Sequence, residues 1–418
     1  MRLKLLRDFY YNILKSSFIK NSFILLVSQL AAKILPLISL LFAMKLYSTE
    51  DFGKFGLFVS ISTITSSFAN LALDNYIVLS KNKKDLQLCI FSCVLWASLF
   101  LVLQTFLSIF VYKFFFDEYY ILFIGLYSFF RSFSLVGTNL AIKFEHIRAL
   151  SIARILDSLI FNIAFIGLGF YGIGYIGLIF CSFITFIPSI IIPLILCRKE
   201  VSFSIPSFPE VVDFHHRNIE IPKYIASANL IETLSNHLHT ILFNFLFDIK
   251  LVGQLFFVQR ILASPIIIIH PITQYLLKSL GNAIELTKSY KLIRYFSYVY
   301  LLFSALMLGI FVALPNKVIL PYVTNDWAQI VPIFQIMFTW YILIYLVKII
   351  SPVFFKSKTH HHILNYNIIN LLATLGVSAV GYFLELTFII QLLCFSMVKC
   401  LVCSYFIFTG IRIAKEHR

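Results

Sequence analysis

The chain has 418 residues, 60% hydrophobic and 17% aromatic, with 13% charged and a mean hydropathy of +0.90. Soluble globular domains carry about 25% charged residues, so a water-soluble fold is excluded. The net charge of +15 is spread in a topological pattern rather than gathered into one patch, and no nucleic-acid partner is expected.

Taken in chain order, residues 2–20 come first. Leu3, Leu6, Tyr10 and Ile13 fall at helical spacing among Arg2, Lys4, Arg7, Lys15 and Lys20, which suits an amphipathic helix on a membrane surface; a solvated basic tail fits the same stretch. Apolar runs of about 20 residues, the length that spans a bilayer as a helix, then occur at 22–47, 55–79, 86–112, 118–142, 150–170, 173–196, 223–247, 252–277, 293–314, 329–355, 362–384 and 387–411. They are continuous, unlike the short alternating segments of a membrane barrel. The expected class is an all-α polytopic membrane protein with about twelve transmembrane helices. The first run is too long for a signal-peptide core and is read as retained.

The connections between runs alternate in charge. With the N-terminus inside, 23 Lys and Arg residues fall on inner segments and four (Lys54, Lys113, Lys250, Lys317) on outer loops. This positive-inside bias places both termini in the cytoplasm, where anionic lipids favour the basic flanks.

The longest inner connection carries Pro206, Pro209 and Pro222 and divides the chain. The expected organisation is a basic N-terminus (1–21), a six-helix bundle (22–196), a cytoplasmic linker (197–222), a second six-helix bundle (223–411) and a short tail (412–418). Gly53-Lys-Phe-Gly-Leu-Phe-Val59 and Gly253-Gln-Leu-Phe-Phe-Val-Gln259 open the second helix of each half. An even helix number makes the halves parallel repeats, related by a pseudo-two-fold along the membrane normal, with substrate sites between them.

Outer loops are short, which argues against an external catalytic domain; no catalytic residue is assigned and an enzyme is not expected. No nucleotide-binding glycine motif occurs; Gly167, Gly169, Gly172, Gly174 and Gly177 straddle an outer hairpin and suit close helix packing. Six of the seven cysteines lie in spans and Cys197 at an inner edge. Cys400 and Cys403 form a C-x-x-C inside an apolar helix, where buried thiols are inert packing groups. His360, His361 and His362 read as a solvated loop. No metal or cofactor is expected.

Ionisable residues inside a membrane are costly, about 2.5 to 3.5 kcal/mol for a central Lys or Arg, so those retained mark candidate pathways. Lys33, Arg131, Arg260, Lys348 and Lys399 are candidate substrate-binding cations, with Asn236 on the polar stripe of the seventh span (Asn229, Glu232, Thr233, Asn236, Thr240, Asn244). Lys45 and Arg154 lie near span ends, where snorkelling explains them, and Arg154 is placed to pair with Asp157. Glu232, Asp74 and Asp157 are candidates for coupling to H+ or Na+, although Asp74, one turn from an end, also fits a surface carboxylate. Lys33 plus the repeat offset of 200 falls beside Glu232, so a Lys33–Glu232 ion pair is the structural alternative. The seven in-span cations exceed the three acids, and a cationic interior favours an anionic substrate such as a phosphate.

The stretches Asn21-Ser-Phe to Leu35-Pro36-Leu37, Leu46-Tyr-Ser-Thr-Glu50-Asp-Phe-Gly53-Lys-Phe-Gly56, Asn70-Leu-Ala-Leu-Asp74 and Gly253-Gln-Leu-Phe-Phe-Val-Gln-Arg260-Ile-Leu-Ala-Ser-Pro265 resemble bacterial polysaccharide flippases of the Wzx type, in the superfamily of the MATE exporters. The resemblance implies a bilobed inner-membrane transporter. It would move an undecaprenyl-pyrophosphate-linked oligosaccharide, an O-antigen or capsule repeat unit, from the cytoplasmic to the periplasmic leaflet. Membrane lipids and other polysaccharide-assembly proteins are the implied partners. A drug exporter on the same fold and a polytopic polysaccharide polymerase or ligase are the alternatives; a lipid II flippase would be expected to add two further helices.

Overall fold

The computed structural model describes residues 42–80, 82–114, 118–201, 206–264, 325–356 and 361–416, with 36, 39, 40, 297 and 298 beside them. Every regular element among these residues is helical. The chain runs through α1 (Thr49–Ser66), α2 (Asp74–Leu79), α3 (Lys83–Phe114), α4 (Ile124–Lys143), α5 (Ile147–Phe170), α6 (Tyr175–Ile184), α7 (Phe186–Cys197) and α8 (Phe208–Arg217). It continues through α9 (Ser227–Leu246), α10 (Ile249–Leu262), α11 (Ile330–Ile350), α12 (Pro352–Lys356), α13 (His361–Phe383) and α14 (Phe388–Glu416).

Seven stretches among the described residues are long and apolar enough to cross a membrane: α3, α4 with the 3-10 turn before it, α5, α6 with α7, α11 with its flanking turns, α13, and α14 through Ile413. They match seven of the expected spans, and the fold class is all-α and polytopic. The expected spans 22–47 and 293–314, the N-terminal amphipathic segment and Lys33 lie largely or wholly outside the described residues.

The exposure pattern shows what solvates these helices. On α13 the buried residues are Asn367, Asn370, Thr374, Ser378 and Gly381, whereas Leu372, Leu375, Val380 and Phe383 are exposed. In water this helix would be inside out; in lipid, apolar side chains face the acyl chains and polar groups find partners in the protein. On α5, Ser151, Ser158 and Asn162 are likewise buried while Ile152, Leu156, Leu159 and Ile163 are exposed.

The described residues form two compact units, one from 65–227 and the other from 42–64 with 228–418. Two segments lie elsewhere than the sequence pattern places them. Residues 42–64, expected in the first bundle, pack with the second unit. The expected linker instead joins the first unit and contains a helix. Ser207 and Glu210 form a capping box at the start of α8, with Pro209 in its first turn. Val211 and Phe214 enter the core of Leu73, Ile77, Leu86, Cys89 and Leu140. Lys84 pairs with Glu210 at 2.6 Å, and the indole Nε1 of Trp96 donates to His215 Nε2 at 2.7 Å.

Residues 67–73 interrupt the expected 55–79 span. Leu71 and Ala72 both adopt the left-handed conformation, at φ 54° and 56°, which costs about 1 to 2 kcal/mol per non-glycine residue. Asn70 Oδ1 accepts the Ala72 N–H at 3.3 Å, offsetting part of that cost. The hairpin between α5 and α6, expected on the outer side, uses Gly172 and Gly174, both at positive φ; there the glycines serve the turn, and Gly167 has no neighbour that a β-carbon would meet.

In the second unit α1 and α10 cross at their glycines. A β-carbon on Gly253 would lie 1.8 Å from Thr49 O, and one on Gly53 2.3 Å from Ile249 O. The two repeat-equivalent glycines thus permit backbone contact, and Phe52, Phe257 and Trp327 close over the crossing, Phe52 meeting the other two edge-on and Phe257 tilted against Trp327.

Candidate functional site

The second unit holds Glu232, Arg260, Lys348 and Lys399, half of the eight predicted ionisable site residues. Glu232 lies on α9, and its carboxylate Oε1 accepts a hydrogen bond from Lys348 Nζ of α11 at 3.0 Å. Both side chains are about two-fifths exposed, at 42% and 41%. The expected Lys33 partner lies outside the described residues; among those described, Glu232 is paired with Lys348 instead. Repeat symmetry matches depths, but it does not select which helix supplies the countercharge.

Lys399 has a different setting. Its side chain is buried on α14, 3% exposed, and it donates to Asn370 Oδ1 at 2.5 Å, Ser235 O at 3.4 Å and Asn370 O at 3.5 Å. The ammonium also lies 5.0 Å from the Phe395 ring centre and 5.7 Å from that of Trp340, a cation–π arrangement that favours positive charge in a low-dielectric setting. Among the described residues no carboxylate reaches it. Asn370 Nδ2 in turn donates to Ser235 Oγ, so α9, α13 and α14 are tied together around the amine. His239 packs on the same aromatic pair, 5.1 Å from Phe395 and 5.9 Å from Trp340, with its Nε2 2.5 Å from Gln259 Nε2.

Arg260 on α10 stacks over Phe55 and Phe256, at 5.1 and 5.5 Å. Asn236, one residue beyond Ser235, is exposed. Sequence reasoning missed Asn370, Ser235, Trp340 and Gln259. A signal for Asn370 was present: Asn367, Asn370 and Thr374 repeat at helical spacing in an apolar span.

In the first unit Arg131 on α4 is half-buried, with no ion-pair or hydrogen-bond partner among the described residues. Asp74 is not a surface carboxylate. It is 6% exposed, and Asn139 Nδ2 donates to both its Oδ2 and its backbone O at 3.0 Å. The break at 67–73 turns the start of α2 inward, which the apolar pattern does not reveal. Asp157 is engaged by Ser189 through the hydroxyl and, at 3.2 Å, the backbone N–H. The expected Arg154–Asp157 ion pair does not form among the described residues. The carboxylate is drawn to α7, where Ser189 supplies both donors, and Thr185 Oγ1 just before that helix donates to the backbone O of Asp157 at 2.9 Å.

These arrangements define a polytopic membrane protein that holds isolated and paired charges within its helices, as transporters do. The polysaccharide biosynthesis protein family matches residues 18–277, more than half of the chain, and the chain belongs to that family. Among solved structures, the lipid II flippase MurJ in an inward closed conformation is similar with a TM-score of 0.70 at 13% identity, over 95% of this chain and 90% of that one. A MOP superfamily transporter from Pyrococcus furiosus, described as having a binding pocket of reverse polarity that suggests a different function, is similar with a TM-score of 0.64 at 12% identity, over 96% of each chain. An inward-facing multidrug-resistance MATE transporter of the same superfamily gives 0.61 at 13% identity, over 94% of each chain. No curated protein sequence matches. At these identities the structures establish the shared fold.

Proposed function

We propose that the chain is a flippase for an undecaprenyl-pyrophosphate-linked oligosaccharide, an O-antigen or capsule repeat unit, which it carries by alternating access from the cytoplasmic to the periplasmic leaflet of the bacterial inner membrane, with both termini cytoplasmic. Family membership supports a lipid-linked saccharide substrate. The observation that carries the proposal is electrostatic: each unit holds an intramembrane cation, Arg131 in one and Lys399 in the other, with no carboxylate beside it among the described residues. A cation with no carboxylate beside it leaves uncompensated positive potential in a low-dielectric interior, and a pyrophosphate is the complementary charge. Polarity matters on this fold, because one relative of similar structure is described as having a reversed pocket.

Glu232, with Asp74 and Asp157 as further candidates, would exchange H+ or Na+ during the cycle. Lys348 and Arg260 would contact the diphosphate as the units rearrange, with Asn236 contributing a neutral hydrogen bond. No group in this scheme performs covalent chemistry. Lys33, which the same reading includes among the substrate cations, lies outside the described residues.

The test is flipping of a fluorescent lipid-linked oligosaccharide in vesicles reconstituted with equal amounts of folded protein. Lys399→Met and Arg131→Gln, which keep bulk and remove charge, should each reduce flipping at least tenfold, and Lys399→Arg and Arg131→Lys should retain part of it. Full activity of the doubly neutral variant would refute the cationic-pathway reading.

A further inference from the structure

One cluster in the first unit has no part in that scheme. It lies where α4 meets α5 and where α7 gives way to the linker. Helix α4 ends in a Schellman turn: Ala141 O accepts the N–H of His146 at 2.8 Å, Ile142 O accepts that of Glu145 at 3.2 Å, and Glu145 takes the left-handed position at φ 59°. Glycine normally fills that position, so the turn carries a backbone cost and fixes His146 at the start of α5. At the end of α7, Cys197 O accepts the N–H groups of Glu200 and Val201 at 3.0 and 3.1 Å. That tight turn brings the Glu200 side chain back over Cys197.

The result is a convergence of three ligand types. Cys197 Sγ, one nitrogen of His146 and one carboxylate oxygen of Glu200 all lie within 4.8 Å of one another. His146 Nε2 and Glu200 Oε2 are 3.4 Å apart. Both of these atoms are shielded from solvent and neither makes a hydrogen bond, although the two side chains remain about a third exposed, at 33% and 39%. Cys197 is 1% exposed.

A protonated histidine facing a carboxylate accounts for two members of this group. It does not account for the thiol, or for the unfilled hydrogen-bonding capacity of shielded atoms, which is costly when left unmet. A tetrahedral ion with bonds of about 2.0 to 2.3 Å places its ligand atoms roughly 3.3 to 3.8 Å apart; the His146–Glu200 pair at 3.4 Å already has that spacing, and the Cys197 Sγ is within 4.8 Å of both.

We propose that His146, Cys197 and Glu200 bind a zinc ion through three protein ligands, leaving the fourth position to water. A thiolate and a carboxylate cancel the charge of the ion, so the site is neutral when filled and can sit at the edge of a membrane domain. The neighbouring Arg148, Arg198 and Lys199 are exposed and keep their charges in solvent, Glu145 adds a negative group nearby, and Lys143 is turned away to donate to Ser80 O at 2.5 Å. Bound there, the ion would fasten the α4–α5 turn to the root of the linker. The site is independent of the substrate reading, because none of its residues belongs to the proposed pathway.

Cobalt(II) tests this on the full-length protein in detergent, because cobalt bound to a thiolate gives a near-ultraviolet charge-transfer band that histidine and carboxylate ligands alone do not. After chelator treatment, one equivalent of cobalt should produce the band, and zinc should displace it. Cys197→Ser should abolish it. His146→Gln and Glu200→Gln should each weaken cobalt affinity by at least about tenfold, the lower end of what even outer-shell changes cost. Replacing His360, His361 and His362 by Ala should leave it unchanged. Absence of the band in the wild type, or its survival in Cys197→Ser, would overturn the proposal. Should Cys197→Ser fail to fold, undiminished affinity in both His146→Gln and Glu200→Gln would overturn it equally.

Discussion

Gly253→Ala places one methyl group where the structure has no room. The new carbon would meet Thr49 O at 1.8 Å, Gly53 N at 2.8 Å and Thr49 C at 2.9 Å. All three are backbone atoms, so no side-chain rotation relieves the clash, and ordinary contact requires α1 and α10 to separate by roughly 1.5 to 2 Å. That separation loosens Phe52, Phe257 and Trp327, which are 0%, 2% and 1% exposed. Overpacking of this kind costs about 1 to 3 kcal/mol, and Gly253→Leu should exceed the upper end. Thermal unfolding in detergent, followed by tryptophan fluorescence in a Trp96→Phe, Trp340→Phe background, reads both stability and the environment of Trp327. Gly376→Ala is the control: that glycine is exposed on α13, a β-carbon added to it would meet nothing within 4 Å, and alanine there should be neutral or stabilising by up to about 1 kcal/mol. An unchanged melting temperature and unchanged Trp327 emission in Gly253→Ala would refute the close crossing.

Other expectations follow from single contacts. Ala72→Gly should stabilise the protein by about 0.5 kcal/mol, because relief of the left-handed backbone at φ 56° exceeds the entropy glycine adds to the unfolded chain; Ala72→Val should destabilise it in the same unfolding assay. Lys84 and the Ser207 backbone hold Glu210 down at about 2 from a usual 4.5. Its depressed value stabilises the docked α8 above pH 4.5, and that contribution falls away as pH drops towards 2; Glu210→Gln should therefore show increased proteolysis of the 197–222 segment at pH 7, and the difference from wild type should vanish at the acid end. Glu232→Gln should leave the protein folded and substrate-binding but without gradient-driven flipping. If the 3.0 Å bond to Lys348 is only structural, a Glu232→Lys, Lys348→Glu swap will instead restore transport.

The apolar runs read correctly wherever lipid dictates the residue type, as in α3, α11 and α14, since a bilayer imposes both length and composition. They failed where tertiary contacts decide. Nothing in Asn70-Leu71-Ala72 announces a break, because the usual glycine or proline is missing and an asparagine side chain supports the strained turn. The three prolines marked 197–222 as a connection, yet Ser207-Phe-Pro-Glu210 is a helix-start pattern, and the docking of α8 on α3 depends on residues more than a hundred positions away. The candidate site residues were legible as anomalies, since an ammonium in an apolar run stands out in any scan. Their partners were not: the pairing of Glu232 with Lys348, and of Lys399 with Asn370, is set by which helices adjoin, and an internal repeat carries no information on that point.

Two basic residues of the second unit, Lys348 and Lys399, stand in contrasting settings. Lys348 is half-exposed and neutralised by Glu232; a pair so open to its surroundings is compatible with a membrane-spanning helix only if water or another polar partner reaches that side. Lys399 is sealed, and its hydrogen bonds go to neutral oxygens. An ion pair offers an arriving anion or proton something to exchange, because protonating Glu232 releases the charge of Lys348. A sealed ammonium offers a standing attraction that no internal carboxylate cancels. On the proposed reading these are complementary roles: the first can differ between conformations and so couple an ion to movement, and the second sets the sign of what the interior accepts. The buried polar face of α13 links them, because Asn370 holds Lys399 while Ser235, which Asn370 also touches, lies one helical turn beyond Glu232 on α9. Breaking the Glu232–Lys348 bond therefore has a short covalent route by which to alter the hydrogen bonds around Lys399.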